Sequence, residues 1–147
     1  MTRRRFAEST TVTVDRTRAD IDTLLTRAGA TQRGTFTDDD TGKALVQFRM
    51  SNRVIRLELV APKFGGATGR ELRKLEQEER AAWRRLLLIL KAKLEIIADG
   101  SSTVEREFLA DILLPDGRRV LEDVAPKLQA AYKTGKMPPL LGAKGEP

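Results

Sequence analysis

The spacing of apolar positions changes period several times along the chain. Thr10-Thr11-Val12-Thr13-Val14 alternates and predicts a short strand. Ile21, Leu24, Leu25 and Ala28 then recur at helical spacing. They predict a helix with Asp15 or Thr17 as N-cap, Asp20 near its positive end and Gly29 where a left-handed residue would stop it. From Thr31 to Ala61 the period is two, and three strands fit, over 31–37, 43–50 and 53–60, joined by the Asp38 to Gly42 turn and by Ser51-Asn52. In the second, Ala44, Val46, Phe48 and Met50 oppose Lys43, Gln47 and Arg49. In the third, Arg53, Ile55, Leu57 and Leu59 oppose Val54, Arg56, Glu58 and Val60. This pattern predicts an antiparallel meander with one solvated, Arg-bearing face.

Pro62 to Gly69 reads as a linker. Its glycines, Gly65, Gly66 and Gly69, lack both the Gly-Lys-Ser/Thr ending of a phosphate loop and dinucleotide-loop spacing. Arg70 to Asp99 predicts one helix of up to 30 residues, ended by Gly100. Leu72, Leu75, Ala82, Trp83, Leu86, Leu90, Leu94 and Ile97 share a broad apolar face, and beyond Leu86 the apolar character covers most of the circumference. Central burial or self-association would account for it, which makes Trp83, Leu86, Leu90, Leu94 and Ile97 the candidate partner or oligomer interface. Glu79 and Lys93 point into the same arc, either as a specificity device at such an interface or as members of an interior ion pair, unless the helix is rotated or shorter.

Ser102 as N-cap and Glu105 at N3 predict a short helix carrying Phe108 and Leu109, and Leu114 to Arg118 is a tight turn between short extended runs. Pro126 at N1 and Gly135 as stop predict a last helix over Ala125 to Thr134, with Leu128, Ala131 and Tyr132 available for packing. The Pro/Gly-rich segment 136–147 would lie extended through Met137, Leu140 and Leu141 or hang free. No repeat is visible. The expected organisation is a basic arm over 1–9, a single α+β domain over 10–135 and a tail. Its antiparallel sheet of about four strands is packed on one face by the long helix and shorter ones.

The 147 residues, 40% hydrophobic and 33% charged, suit one domain with a core under a charged surface. His and Cys are both absent, which removes the thiol nucleophile, the imidazole base, the Ser-His-Asp triad, the Cys/His zinc site and the disulfide. No acid lies two positions before any lysine, so the common (D/E)-x-K nuclease spacing is missing, and Gly42 falls too early after Asp38 for an EF-hand loop. Isolated carboxylates still leave a route to metal-dependent or glycosidic chemistry. The expectation is a non-enzymatic protein with no cofactor and no metal. The basic N-terminus has no long apolar stretch after it, and the longest aliphatic run, Leu86 to Leu90, is too short to span a bilayer. A cytoplasmic location away from membranes is expected.

The net charge of +6 is unevenly placed. Residues 1–69 carry 12 basic and 8 acidic side chains, residues 70–99 carry 8 and 6, and residues 100–147 carry 7 and 7. Three features focus the excess: the arm Arg3-Arg4-Arg5, the sheet face with Lys43, Arg49 and Arg56, and a helix ridge of Arg73, Arg80, Arg84 and Lys91 at spacings of 7, 4 and 7. Arginine outnumbers lysine 18 to 9, which favours bidentate phosphate contacts, while aromatics are only 5% and offer few stacking platforms. DNA or RNA is the expected partner, contacted with low sequence specificity.

The stretch Glu79 to Glu95, followed by Glu107-Phe108-Leu109, Leu113 to Arg118 and Met137 to Leu141, resembles small uncharacterised proteins of bacteriophages and prophages. The likeness covers roughly the C-terminal half. It implies a viral role in the host cytoplasm, in DNA replication or recombination or in interference with bacterial defence, and supplies no catalytic residue. The second expectation is therefore a protein-interaction module, such as an inhibitor of a host defence complex (anti-CRISPR or similar) or an adaptor, with self-association through the long helix as one of its forms.

Overall fold

The structure, a computed structural model, describes residues 7–142. It is an α+β fold with a three-stranded antiparallel sheet and four helices, in the order α1 (Val14–Arg27), β1 (Thr31–Asp38), β2 (Lys43–Met50), β3 (Arg53–Val60), α2 (Gly69–Ala98), α3 (Val104–Phe108) and α4 (Val120–Thr134). A 3-10 turn, Leu109–Asp111, follows α3 directly.

The predicted strand over 10–14 is not formed. Thr13 is instead the N-cap of α1, its hydroxyl accepting from the Arg16 N–H at 3.2 Å, so the helix begins inside the alternating run. Neither Asp15 nor Thr17 caps it, and Thr17 is fully buried in the helix interior. The sheet order is β1-β2-β3. Instead of a fourth strand, an isolated bridge pairs Ile112 with Ile55 at the β3 edge, where the Leu113 N–H donates to the Val54 carbonyl at 2.8 Å.

Ser51 and Asn52 both take positive φ, 51° and 59°, which is the backbone of a two-residue type I′ hairpin, and they place Met50 opposite Arg53. In β1 the register slips by one residue between Thr31 and Gly34, with Gln32 at φ 52°. This bulge twists the outer strand.

One face of the sheet carries Ala44, Val46, Phe48, Ile55 and Leu57, all buried against Ile21 and Leu25 of α1 and Trp83, Leu86, Leu90 and Leu94 of α2. Phe108 of α3 closes the far end, edge-to-face with Phe48 at 5.6 Å. Arg18 ties the layers together. It sits 5.6 Å over the Trp83 ring and donates to the Thr35 hydroxyl at 2.8 Å.

Trp83, Leu86, Leu90 and Leu94 are thus consumed by the domain's own core, with Ile97 packed at its margin, so they are not a docking surface. Of the two charged residues predicted in the apolar arc, Lys93 reaches across it to hydrogen-bond the Glu107 carbonyl and lies 5.3 Å over the Phe108 ring. Glu79 faces a cleft described below.

Further differences lie C-terminal to α2. Thr103, not Ser102, caps α3, accepting from the Arg106 N–H at 3.1 Å. The last helix begins five residues earlier than the predicted Ala125, at Val120, because Glu122 accepts from the Arg119 N–H at 3.1 Å and nucleates the first turn. Pro126 then sits inside the helix. Leu128 and Tyr132 do not pack, and Met137, Leu140 and Leu141 are also exposed. The tail is held by a backbone hydrogen bond instead, from the Leu141 N–H to Asp123 Oδ2 at 3.0 Å.

Candidate nucleic-acid interface

The register fixes what the uncovered sheet face presents. Four cross-strand rows lie on it: Asp38-Lys43-Val60, Phe36-Leu45-Glu58, Gly34-Gln47-Arg56 and, past the bulge, Thr31-Arg49-Val54. Three cations, Lys43, Arg49 and Arg56, therefore share a face with two acids. Glu58 is drawn into an ion pair with Arg119 at 3.3 Å. Asp38 accepts hydrogen bonds from the backbone of Asp40 and Thr41, and its bonds to Thr41 and Asp40 hold its carboxyl below the usual range. Arg56 donates its Nε–H to Gln47 Oε1 at 3.0 Å, and Arg49 donates to Asn52 Oδ1 at 3.4 Å. Both partners are neutral amides. Among the described residues neither Arg49 nor Arg56 forms an ion pair, although the Arg56 charge reaches Glu122 of α4.

Phe36, a residue the sequence reading passed over, stands on this face 57% exposed. Its ring lies across Gly34: a Cβ there would come within 2.9 Å of Cε2 and 3.0 Å of Cζ. The bare glycine gives the ring room to lie along the strand. Parity carried the signal, because Asp38 opposite Lys43 fixes the Lys43 face two residues away from Phe36.

The helix ridge does not form one open line. Arg73 and Lys91 are exposed, but Arg80 donates to Gln77 Oε1 at 2.6 Å and Arg84 pairs with Asp20 of α1 at 3.5 Å. α1 packs along that flank of α2, where Arg84 ties the two helices together while the partner of Arg80 lies on α2 itself. Arg3, Arg4 and Arg5 lie outside the described residues.

A cleft of about 650 Å³ opens between α2, the end of β3 and the N-terminal segment, with Lys74 and Arg85 among acids Glu8 and Glu78. Gln77 closes one side by donating to the Glu8 and Thr10 carbonyls at 3.0 and 2.8 Å. A second cleft, of about 410 Å³, is lined by Asp15, Arg18, Glu76, Glu79 and Arg80. Burial, and then the neighbouring charges of Asp39 and Glu76, push the Glu79 carboxyl above its ordinary value. A raised carboxyl is what a general acid needs. No group of three or more acids among the described residues is placed to hold a metal ion, and no helix there is long and apolar enough to cross a membrane.

The chain matches no family model, no curated protein and no solved structure.

Proposed function

We propose that the protein binds nucleic acid without catalysis, through phosphate contacts to the open sheet face. The observation that carries the reading is that Arg49 and Arg56 hydrogen-bond amide partners and form no ion pair among the described residues, with Arg49 exposed and Arg56 half-buried on the same face. Lys43 adds a third cation on the same face, while the exposed Arg73 and Lys91 lie on α2, across the sheet from it. The low specificity follows from contacts made to phosphate and not to base edges. The phage setting belongs to the same proposal and rests on the likeness of the Glu79 to Glu95 segment and the stretches after it.

Fluorescence anisotropy with a labelled oligonucleotide over a salt series is the test. With Lys43, Arg49 and Arg56 engaged, log K falls against log salt with a slope of about −2 on a single strand or about −3 on a duplex. Replacing all three by Ala removes most of both slope and affinity. Affinity unchanged in the triple variant would remove the sheet from the interface.

A second reading, a module that engages a protein, is favoured by one observation. The α4 surface and the segment after it expose Leu121, Leu128, Tyr132, Met137, Leu140 and Leu141. Capture from bacterial lysate with and without nuclease separates the two: a complex that survives nuclease supports a protein partner.

A further inference from the structure

We infer that the open sheet face takes single-stranded nucleic acid, with one base stacked on Phe36 and the flanking phosphates held from the rows on either side. The inference rests on the nucleic-acid reading above and specifies its ligand.

The Phe36 row lies between the Lys43 row and the Gly34-Gln47-Arg56 row. Rows on one face are spaced by two residues, about 7 Å along the strand. The ring's row is therefore flanked by Lys43 one strand over on β2 and by Arg56 two strands over on β3, with Asp38 beside Phe36 on β1 and Arg49 one row further on. Arg56 is held against the sheet through its Nε–H on Gln47, with the Glu122 charge near enough to feel it, so a phosphate oxygen on its terminal nitrogens would have to compete with that carboxylate. Leu45 and Val54, half-buried on the same face, add an apolar floor.

A duplex cannot use this arrangement. Its bases are stacked inside the helix, and its major groove admits a helix or a two-stranded ribbon, not the face of a three-stranded sheet. A single strand can splay its bases onto the ring while its backbone follows the cations. Every base has a π-face, so stacking on one phenyl ring keeps specificity low. DNA and RNA strands share this chemistry.

The experiment measures anisotropy of labelled dT20, rU20 and a 20-bp duplex at one salt concentration, with the full chain. The wild type is expected to prefer one or both single strands to the duplex by tenfold or more. Phe36→Ala should weaken single-strand binding by roughly 5- to 150-fold, with duplex binding and salt slope unchanged, and Phe36→Tyr should restore it. Gly34→Val, which keeps the aromatic but denies the ring its place, should also weaken single-strand binding. Phe36 is exposed, so an unchanged thermal melt confirms that the Ala variant is folded.

Phe36→Ala binding both single strands as tightly as the wild type overturns stacking. In that case, loss of affinity and slope in the Lys43, Arg49 and Arg56 triple variant would still uphold the phosphate reading. A wild type that binds none of the three probes overturns both.

Discussion

Residues 14–112 and 113–142 are held by different forces. Among the described residues every buried apolar side chain falls between Ile21 and Ile112, while beyond Ile112 the one buried side chain is Asp123, a carboxylate 3% exposed. Asp123 accepts from Lys127 Nζ at 3.0 Å, from Arg118 Nη2 at 3.0 Å and from the Leu141 N–H. Arg119, next to it in the fold, pairs with Glu58, Asp111 and Glu122 at 3.3 to 3.4 Å. The first region coheres by removing apolar surface from water, which is non-directional and is not screened by salt as paired charges are. The second coheres by paired charges, which fix geometry but respond to both salt and pH. α4 packs Val120 against the core, pairs Asp123 and Lys127 inside the chain, and leaves Leu121, Leu128 and Tyr132 outside.

The largest expected effect falls on the apolar side of this contrast. Trp83 is 1% exposed at the meeting point of α1, α2 and the sheet. Trp83→Ala should cost about 3–5 kcal/mol and lower the denaturant midpoint of the whole domain. Tyr132→Ala, which removes an aromatic 87% exposed on α4, should change stability by no more than about 0.5 kcal/mol. Equal losses from the two would erase the distinction.

A smaller and more local effect is expected from Asp123→Asn. The residue would keep its size but lose the attraction of Lys127 and Arg118, so amide exchange should speed up over 120–141 while protection in β2 and β3 stays unchanged. Acid should do the same to the native chain. The bond from Lys127, the Leu141 N–H and then Arg118 hold Asp123 below its ordinary 3.8. A carboxyl lowered on folding contributes stability that is complete above 3.8 and is lost as pH falls through its folded value. The C-terminal segment should therefore loosen below pH 3.8 before the core does, as read by hydrogen exchange. Asp111 works against Arg119 in this network, since burial raises it more than the guanidinium lowers it. Uniform exchange along the chain at low pH would contradict the division.

The same division marks what was legible in the sequence. Period-two and period-3.6 patterns report apolar burial, and they located β1, β2, β3, the long helix and the Lys43, Arg49 and Arg56 face. They say little about segments that charge holds, which is why they start the last helix at Ala125 and leave the tail either extended through Met137, Leu140 and Leu141 or free. Two hydroxyls illustrate a related error. Thr17 and Ser102 read as helix caps because Ser and Thr favour those positions, yet in both the buried side-chain oxygen has no hydrogen-bond partner among the described residues. The capping residue is Thr13 in one case and Thr103 in the other. A helical wheel placed Arg80 and Arg84 with Arg73 and Lys91 correctly by angle, but it could not say that α1 covers the middle of that line. The face of Phe36 follows only from the register, because the strand over 31–37 has too few apolar side chains for its own alternation to assign one.

The smallest effect probes a charge at the edge of the apolar region. Glu79 lies on α2 four residues before Trp83, half-buried, near Asp39, Glu76 and Asp15. Its carboxyl is raised on folding by burial first and by these like charges second. The sign is opposite to that of Asp123. The native state holds the proton longer than the unfolded chain, so stability declines as pH rises from the unfolded value through the folded one, and the penalty is complete above it. Glu79→Gln removes the charge while keeping the shape. It should raise stability at pH 7 by about 0.5 kcal/mol, a rise in Tm of about 1–2 °C, and change nothing near pH 4, where the wild-type residue is already largely protonated. A loss of stability at pH 7 would instead mean that the carboxylate holds Arg80 in place, and the upper part of α2 would then depend on paired charge in the way that α4 does.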